Sequence, residues 1–126
     1  MWDFDHVSKA IAAALDPVGE GISVFAVSPA SFNPPALVVG RPETVELDNP
    51  AFSVDLVNLA VLAFVGIGED QQLGELLRRA RDTLAADRSL GGQVRTCRTI
   101  RFRNWAIMNI SGADYLKAEL LLEVWA

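Results

Sequence analysis

Cysteine, histidine and long apolar runs are all but missing from this sequence, and each shortage excludes something. Cys97 is the only cysteine, so the chain holds neither an internal disulfide nor a cysteine-rich zinc site. His6 is the only histidine, which leaves Cys97 without a second imidazole to activate it as a nucleophile. The longest apolar run, residues 59–67, has nine residues, far short of the ~20 needed to span a bilayer. The opening "MWDFDHVSKA" is acidic and amphipathic, with no basic stretch followed by an apolar one. The expectation is synthesis and residence in a cytoplasm, away from membranes.

Catalytic signatures are missing too. There is no G-x-S-x-G, no Walker loop and no G-x-G-x-x-G, and "VGIGED" shares only its two glycines with a phosphate loop. Asp16, Glu20, Asp48 and Asp55 lack the spacing of a calcium loop. These absences point away from an enzyme, a cofactor and a metal site.

What is there starts with bulk. The chain has 126 residues, 51% of them hydrophobic, which fits one domain with its own core and argues against disorder. The net charge is −5, yet eight of the eleven basic residues fall within 78–103: Arg78, Arg79, Arg81, Arg88, Arg95, Arg98, Arg101 and Arg103. Only Asp82 and Asp87 oppose them, a local balance of +6. Three basic against fourteen acidic residues leave the remainder at −11.

Two partners would explain such segregation. One is nucleic acid, with Trp105 beside Arg101 and Arg103 as a stacking platform. The other is a second copy of the chain, whose acidic surfaces complement a basic one when copies meet head to tail. A sequence pI near 4.7 weighs against the first, since a dedicated nucleic-acid-binding domain exceeds about 9.

The pattern along the chain predicts an α+β domain: a mostly antiparallel mixed sheet, two helices on one face, and a long loop between early strands. Asp3 is placed to cap a helix on which Phe4, Val7, Ile11, Ala14 and Leu15 recur at helical spacing, until Asp16-Pro17 stops it. "ISVFAVSP" and "ALVVG" predict two strands. The polar segment 41–55, twice interrupted by proline, predicts a loop, with 44–47 as a brief strand inside it. "LVNLAVLAFVGIG" predicts a central strand needing cover on both faces. Glu69 and Asp70 open a second helix striped by Leu73, Leu76, Leu77, Ala80 and Leu84. On its other side, Glu75 stands four residues before Arg79, and Arg78 four before Asp82.

Residues 93–103 alternate as a strand, with Ile100 and Phe102 on one side and Thr99, Arg101 and Arg103 on the other. Asn104 is placed to turn it into "WAIMNI". The closing "YLKAELLLEVWA" sets Ala118, Leu120, Leu122 and Val124 against Lys117, Glu119 and Glu123.

Read in order, these parts resemble the tail terminator and related minor tail proteins of long-tailed bacteriophages. The likeness is carried by "FDHVSKAIAAAL", "PPALVVG", the loop after it, "VNLAVLAFVG", "LGELLRRARDTLAAD", the turn "DRSLGGQV" and the closing strand. It implies a virion subunit that assembles in the host cytoplasm as a ring, typically of six. Such a ring caps the tail tube, ends its polymerisation and meets the head-neck proteins, acting without catalysis or cofactor. Another head–tail connector or head-closure subunit is the nearest alternative; a small cytoplasmic nucleic-acid-binding module is a further one.

A closed ring shows one surface to each neighbour. Candidate interface residues are therefore Arg78, Arg79, Arg81, Arg101 and Arg103 on the basic side. Glu43, Glu46, Asp48, Phe52 and Asp55 stand on the acidic loop, which should lie against a neighbour or the tube. Six copies at −5 would total −30, and a lumen of that sign repels the phosphates of genomic DNA passing through it.

Overall fold

The computed structural model describes residues 3–19, 21–49 and 54–126, with 48 and 49 by backbone alone. The elements run α1 (Phe4–Leu15), a 3₁₀ turn (Asp16–Val18), β1 (Ser23–Phe25), β2 (Ala36–Val39), β3 (Thr44–Asn49), β4 (Val54–Val65), α2 (Asp70–Ala86), β5 (Thr96–Ile110) and β6 (Ala113–Trp125). Six strands form one sheet in the order β1-β2-β4-β6-β5, with β3 also against β4. Only the β1–β2 pair is parallel. This is the predicted α+β class.

Both helices begin and pack as their sequences dictate. The Asp3 carboxylate accepts from the Asp5 N–H at 3.0 Å, closing the start of α1. Val7, Ile11 and Leu15 of α1 and Leu73, Leu77, Ala80 and Leu84 of α2 are all but fully buried. They meet Val57, Leu59, Val61, Ala63 and Val65 of β4 and Ala118, Leu120, Leu122 and Val124 of β6 in one core. The period-two alternation of β6 thus places its apolar set under the helices.

The second face of β4 is covered as well. Phe64 is 3% exposed, beneath Phe32 with ring centroids 4.9 Å apart. Tyr115 stacks on Phe32 at 5.0 Å and donates its hydroxyl to the Phe32 carbonyl at 3.2 Å. The connection between β1 and β2 therefore folds back over the sheet as a lid of aromatic rings.

Two expectations need correction. The strand expected at 44–47 within the loop 41–55 is present and longer: β3 and the first residues of β4 form a ladder, Thr44 opposite Asn58 and Asn49 opposite Val54. Gly40 donates to the Ala60 carbonyl and Glu43 to that of Asn58, both at 2.7 Å. β2 and β3 are thus one interrupted strand lying along β4, broken where Pro42 has no N–H to offer.

The second correction concerns Asn104. It takes a left-handed φ of 59° inside β5 without turning the chain, and 105–110 continue against β6. Register shifts between Thr99 and Arg101 and between Arg103 and Ala106 absorb the extra residues as bulges. The first shift also moves Thr99. It stands opposite Leu122, on the helix-covered face, whereas Arg101 and Arg103 stand opposite Leu121 and Glu119 on the other.

Candidate assembly surfaces

The basic residues occupy three places. The core stripe of α2 points Arg78, Arg79 and Arg81 outward, and all three are exposed. Neither Glu75–Arg79 nor Arg78–Asp82 closes among the described ion pairs; Asp82 instead takes Arg81, at 3.0 Å. The Arg81 guanidinium also lies 5.8 Å from the centre of the Phe102 ring. Phe102 in turn meets Trp105 edge to face, centroids 6.3 Å apart. Arg78, Arg81 and Phe102 line a shallow hollow with Gln71, Gly74 and Glu75.

The second place is the sheet face away from the helices. Here Arg103 donates from Nε to Glu119 at 3.2 Å and from its far nitrogen to Glu43. Lys117 and Asn104 also donate to Glu119, at 2.9 and 3.2 Å. Burial alone would raise the Glu119 carboxyl, but hydrogen bonds from Lys117, Asn104 and Arg103, with the Lys117 charge, hold it below its ordinary value. Burial by itself lowers Arg103, and its two carboxylate partners more than reverse this. Arg103 and Glu43, both expected at a subunit boundary, are therefore engaged with one another inside the chain. Arg101 is exposed and has no ion-pair partner among the described residues.

The third place is the base of β5. Arg88, Arg95 and Arg98 surround a concavity of about 250 Å³ with Val54, Thr96, Glu123 and Trp125. Glu123 accepts from the Trp125 indole at 3.2 Å.

The acidic candidates divide in the same way. Glu46 is exposed on β3, together with Val45 and Leu47, the last 64% exposed. Asp55 is buried, and its carbonyl accepts from the Ala126 N–H at 2.9 Å. Asp48 is placed on β3 by its backbone, and Phe52 lies outside the described residues.

Sequence reasoning singled out Trp105 but missed the exposed apolar residues Val45 and Leu47 on β3 and Ile107 and Met108 on β5. The signal was present in part, because "TVEL" places apolar side chains on alternate positions of a segment with no core to reach.

The turn "DRSLGGQV" is held by its aspartate. Asp87 accepts from the Ser89 N–H and hydroxyl at 3.2 and 2.8 Å and from the Gly91 N–H at 2.8 Å. The Ser89 hydroxyl bond first, then those from Gly91 and the Ser89 amide, keep the Asp87 carboxyl below its ordinary value. Leu90, Gly91 and Gly92 all take positive φ, and the Leu90 side chain is buried in the core. The motif therefore orders the exit from α2 toward β5.

The single histidine and the single cysteine both lie in structural contacts. His6 donates from Nε2 to the Gln93 carbonyl at 3.0 Å, tying α1 to the entry of β5. Cys97 is 1% exposed, and burial pushes its thiol up to about 12. Among the described residues no three His, Cys, Asp or Glu side chains gather to hold a metal ion. No helix there is long and apolar enough to cross a membrane. No protein-family model and no curated protein sequence matches the chain.

Proposed function

We propose that this chain is a structural subunit that works by mating with copies of itself, and that it is the tail terminator of a long-tailed bacteriophage. In that role a ring of copies caps the tail tube, ends its growth and joins it to the neck of the head. The observation that carries the reading is the set Arg78, Arg79, Arg98 and Arg101. All four are exposed, and none has an ion-pair partner among the described residues. In a chain of net charge −5, surface arginines without partners of their own find them on the acidic surfaces of another copy. The exposed apolar side chains of β3 and β5 supply adhesive area.

Tails assembled with and without the chain test the reading. Overlong tubes in its absence identify a terminator; tubes of normal length that fail to join heads identify a neck subunit instead. Arg79→Glu with Arg81→Glu should leave the subunit folded and impair ring or tail assembly. Normal tails bearing normal heads would overturn the proposal.

One observation favours a second reading. The succession Arg81, Phe102, Trp105 offers a charge and two rings of the kind that grip single-stranded nucleic acid. Retention on DNA that falls steeply with salt would support it.

A further inference from the structure

The sheet has two open edges. β5 ends the strand order on one side. On the other, β1 covers only β2, and β3 lies against β4 with no described strand on its outer side. Such an edge is a row of N–H and C=O groups ready to pair with another strand. The two edges carry opposite charge. β3 contains Glu46 and Asp48 and no basic residue, whereas β5 contains no acidic residue and holds Arg98 and Arg101, exposed and without ion-pair partners among the described residues. Like charges set opposite one another are unfavourable, so β5 rejects another β5 and β3 another β3. The unlike pair remains.

We propose that β5 of one copy adds to β3 of the next, joining the sheets of neighbouring copies through main-chain hydrogen bonds. The inference rests on the self-assembly part of the function proposed above. Strand direction supports it. β3 is antiparallel to β4, β4 to β6 and β6 to β5, so β3 and β5 run in opposite senses. A neighbour brought up in the same orientation sets its β3 antiparallel to β5 and continues the alternation across the junction.

Side chains agree as well. Glu46 stands opposite Leu56 and Leu56 opposite Trp125, while Arg98 and Arg101 stand opposite Glu123 and Leu121. All of these share the face away from the helices, so unlike charges meet on one side of the joined sheet. The Cys97 N–H is already given to the Arg88 carbonyl at 2.6 Å. The free edge therefore begins beyond Cys97 and brings the incoming β3 toward Arg101. The offset this imposes between neighbours is the stagger that tilted strands need to close on themselves.

Charge exchange tests the proposal. Arg98→Glu/Arg101→Glu and Glu46→Lys each set like charges across the junction, and each alone should weaken association at least about tenfold by sedimentation velocity. An equimolar mixture should restore assembly, because each variant's β5 then meets the other's β3. Amide hydrogen exchange of the unmodified protein should show protection of 44–49 and 99–103 appearing with assembly.

Circular dichroism checks that each variant keeps the parent fold. A mixture of folded variants that stays monomeric, or assembly without protection of those amides, overturns strand addition. Assembly undiminished in both variants overturns it too and leaves the ring reading intact. An unmodified chain that stays monomeric at its solubility limit, and leaves tails unchanged when omitted, overturns both.

Discussion

Arg103 on β5 and Glu119 on β6 face each other across the ladder, the guanidinium Nε 3.2 Å from a carboxylate oxygen. The contact organises the sheet face away from the helices. Glu119 is only 9% exposed and gathers Lys117 and Asn104 as well, while Arg103 continues to Glu43. One polar network thereby ties β5 and β6 to Glu43, the residue that leads into β3.

Removing the acceptor should be felt by every donor around it. Glu119→Ala leaves Lys117, Arg103 and Asn104 without their shared partner, and the expected loss is about 1–3 kcal/mol. Urea unfolding at neutral pH measures it. A midpoint unchanged from the parent would show that the network adds nothing to folding.

The same network sets an acid limit. Glu119 and Asp87 are both held below their ordinary carboxyl values in the folded chain. Each therefore binds protons more weakly folded than unfolded. Their contributions are complete above the unfolded values, near 4.5 for Glu119 and 3.8 for Asp87. They are lost as pH falls through the lower, folded values. Thermal melts from neutral pH downward should show stability falling in that window, and Glu119→Gln with Asp87→Asn should flatten the fall. An acid limb identical in the double variant would contradict this.

Much of the fold was legible because local pattern and tertiary cover agree. The leucine stripe of α2 and the alternation of β6 each name one buried face, and that face is buried. Legibility failed where a partner strand overrules a local signal. Asn104 carries the composition of a turn, since asparagine tolerates left-handed backbone. The unbroken β6 beside it instead keeps 105–110 in the ladder and turns the irregularity into a bulge. Within the proline-interrupted loop 41–55 the strand at 44–47 was legible, but not its length, which β4 sets by extending far enough to template it. The candidate interface was legible as charge and not as partnership. Arg103 and Glu43 lie 60 residues apart in sequence, and nothing local announces that they pair.

Gly40 is a sharp test of the interrupted strand. A Cβ built there would lie 2.7 Å from the Ala60 carbonyl oxygen, a backbone atom that cannot step aside cheaply. Gly40→Ala should therefore cost about 1–3 kcal/mol by chemical denaturation, through displacement of β2 from β4. A fully stable variant would mean that the kink at 40–43 relaxes freely.

Asn104 combines two demands, a positive φ and a hydrogen bond to Glu119. Asn104→Val fails both, and the backbone alone should cost about 1–2 kcal/mol. Asn104→Gly meets the backbone demand and loses only the hydrogen bond, so it should unfold at a denaturant concentration between the parent and the valine variant. Equal midpoints for the two variants would show that the backbone demand is slight and that the loss belongs to the hydrogen bond.

Leu122 and Ile107 point toward the helix-bearing side of neighbouring strands, yet only one has cover. Leu122 is 0% exposed in the core, whereas Ile107 is 67% exposed beyond the reach of α2. Leu122→Ala should lower stability by about 2–5 kcal/mol, because it opens a cavity among packed side chains. Ile107→Ser should change subunit stability by no more than about 0.5 kcal/mol. If the apolar end of β5 is adhesive area between copies, the serine variant should nevertheless assemble more weakly. Denaturation curves and sedimentation on the same two proteins separate the effects. A serine variant that is unstable but assembles normally would place Ile107 in the fold rather than at a contact.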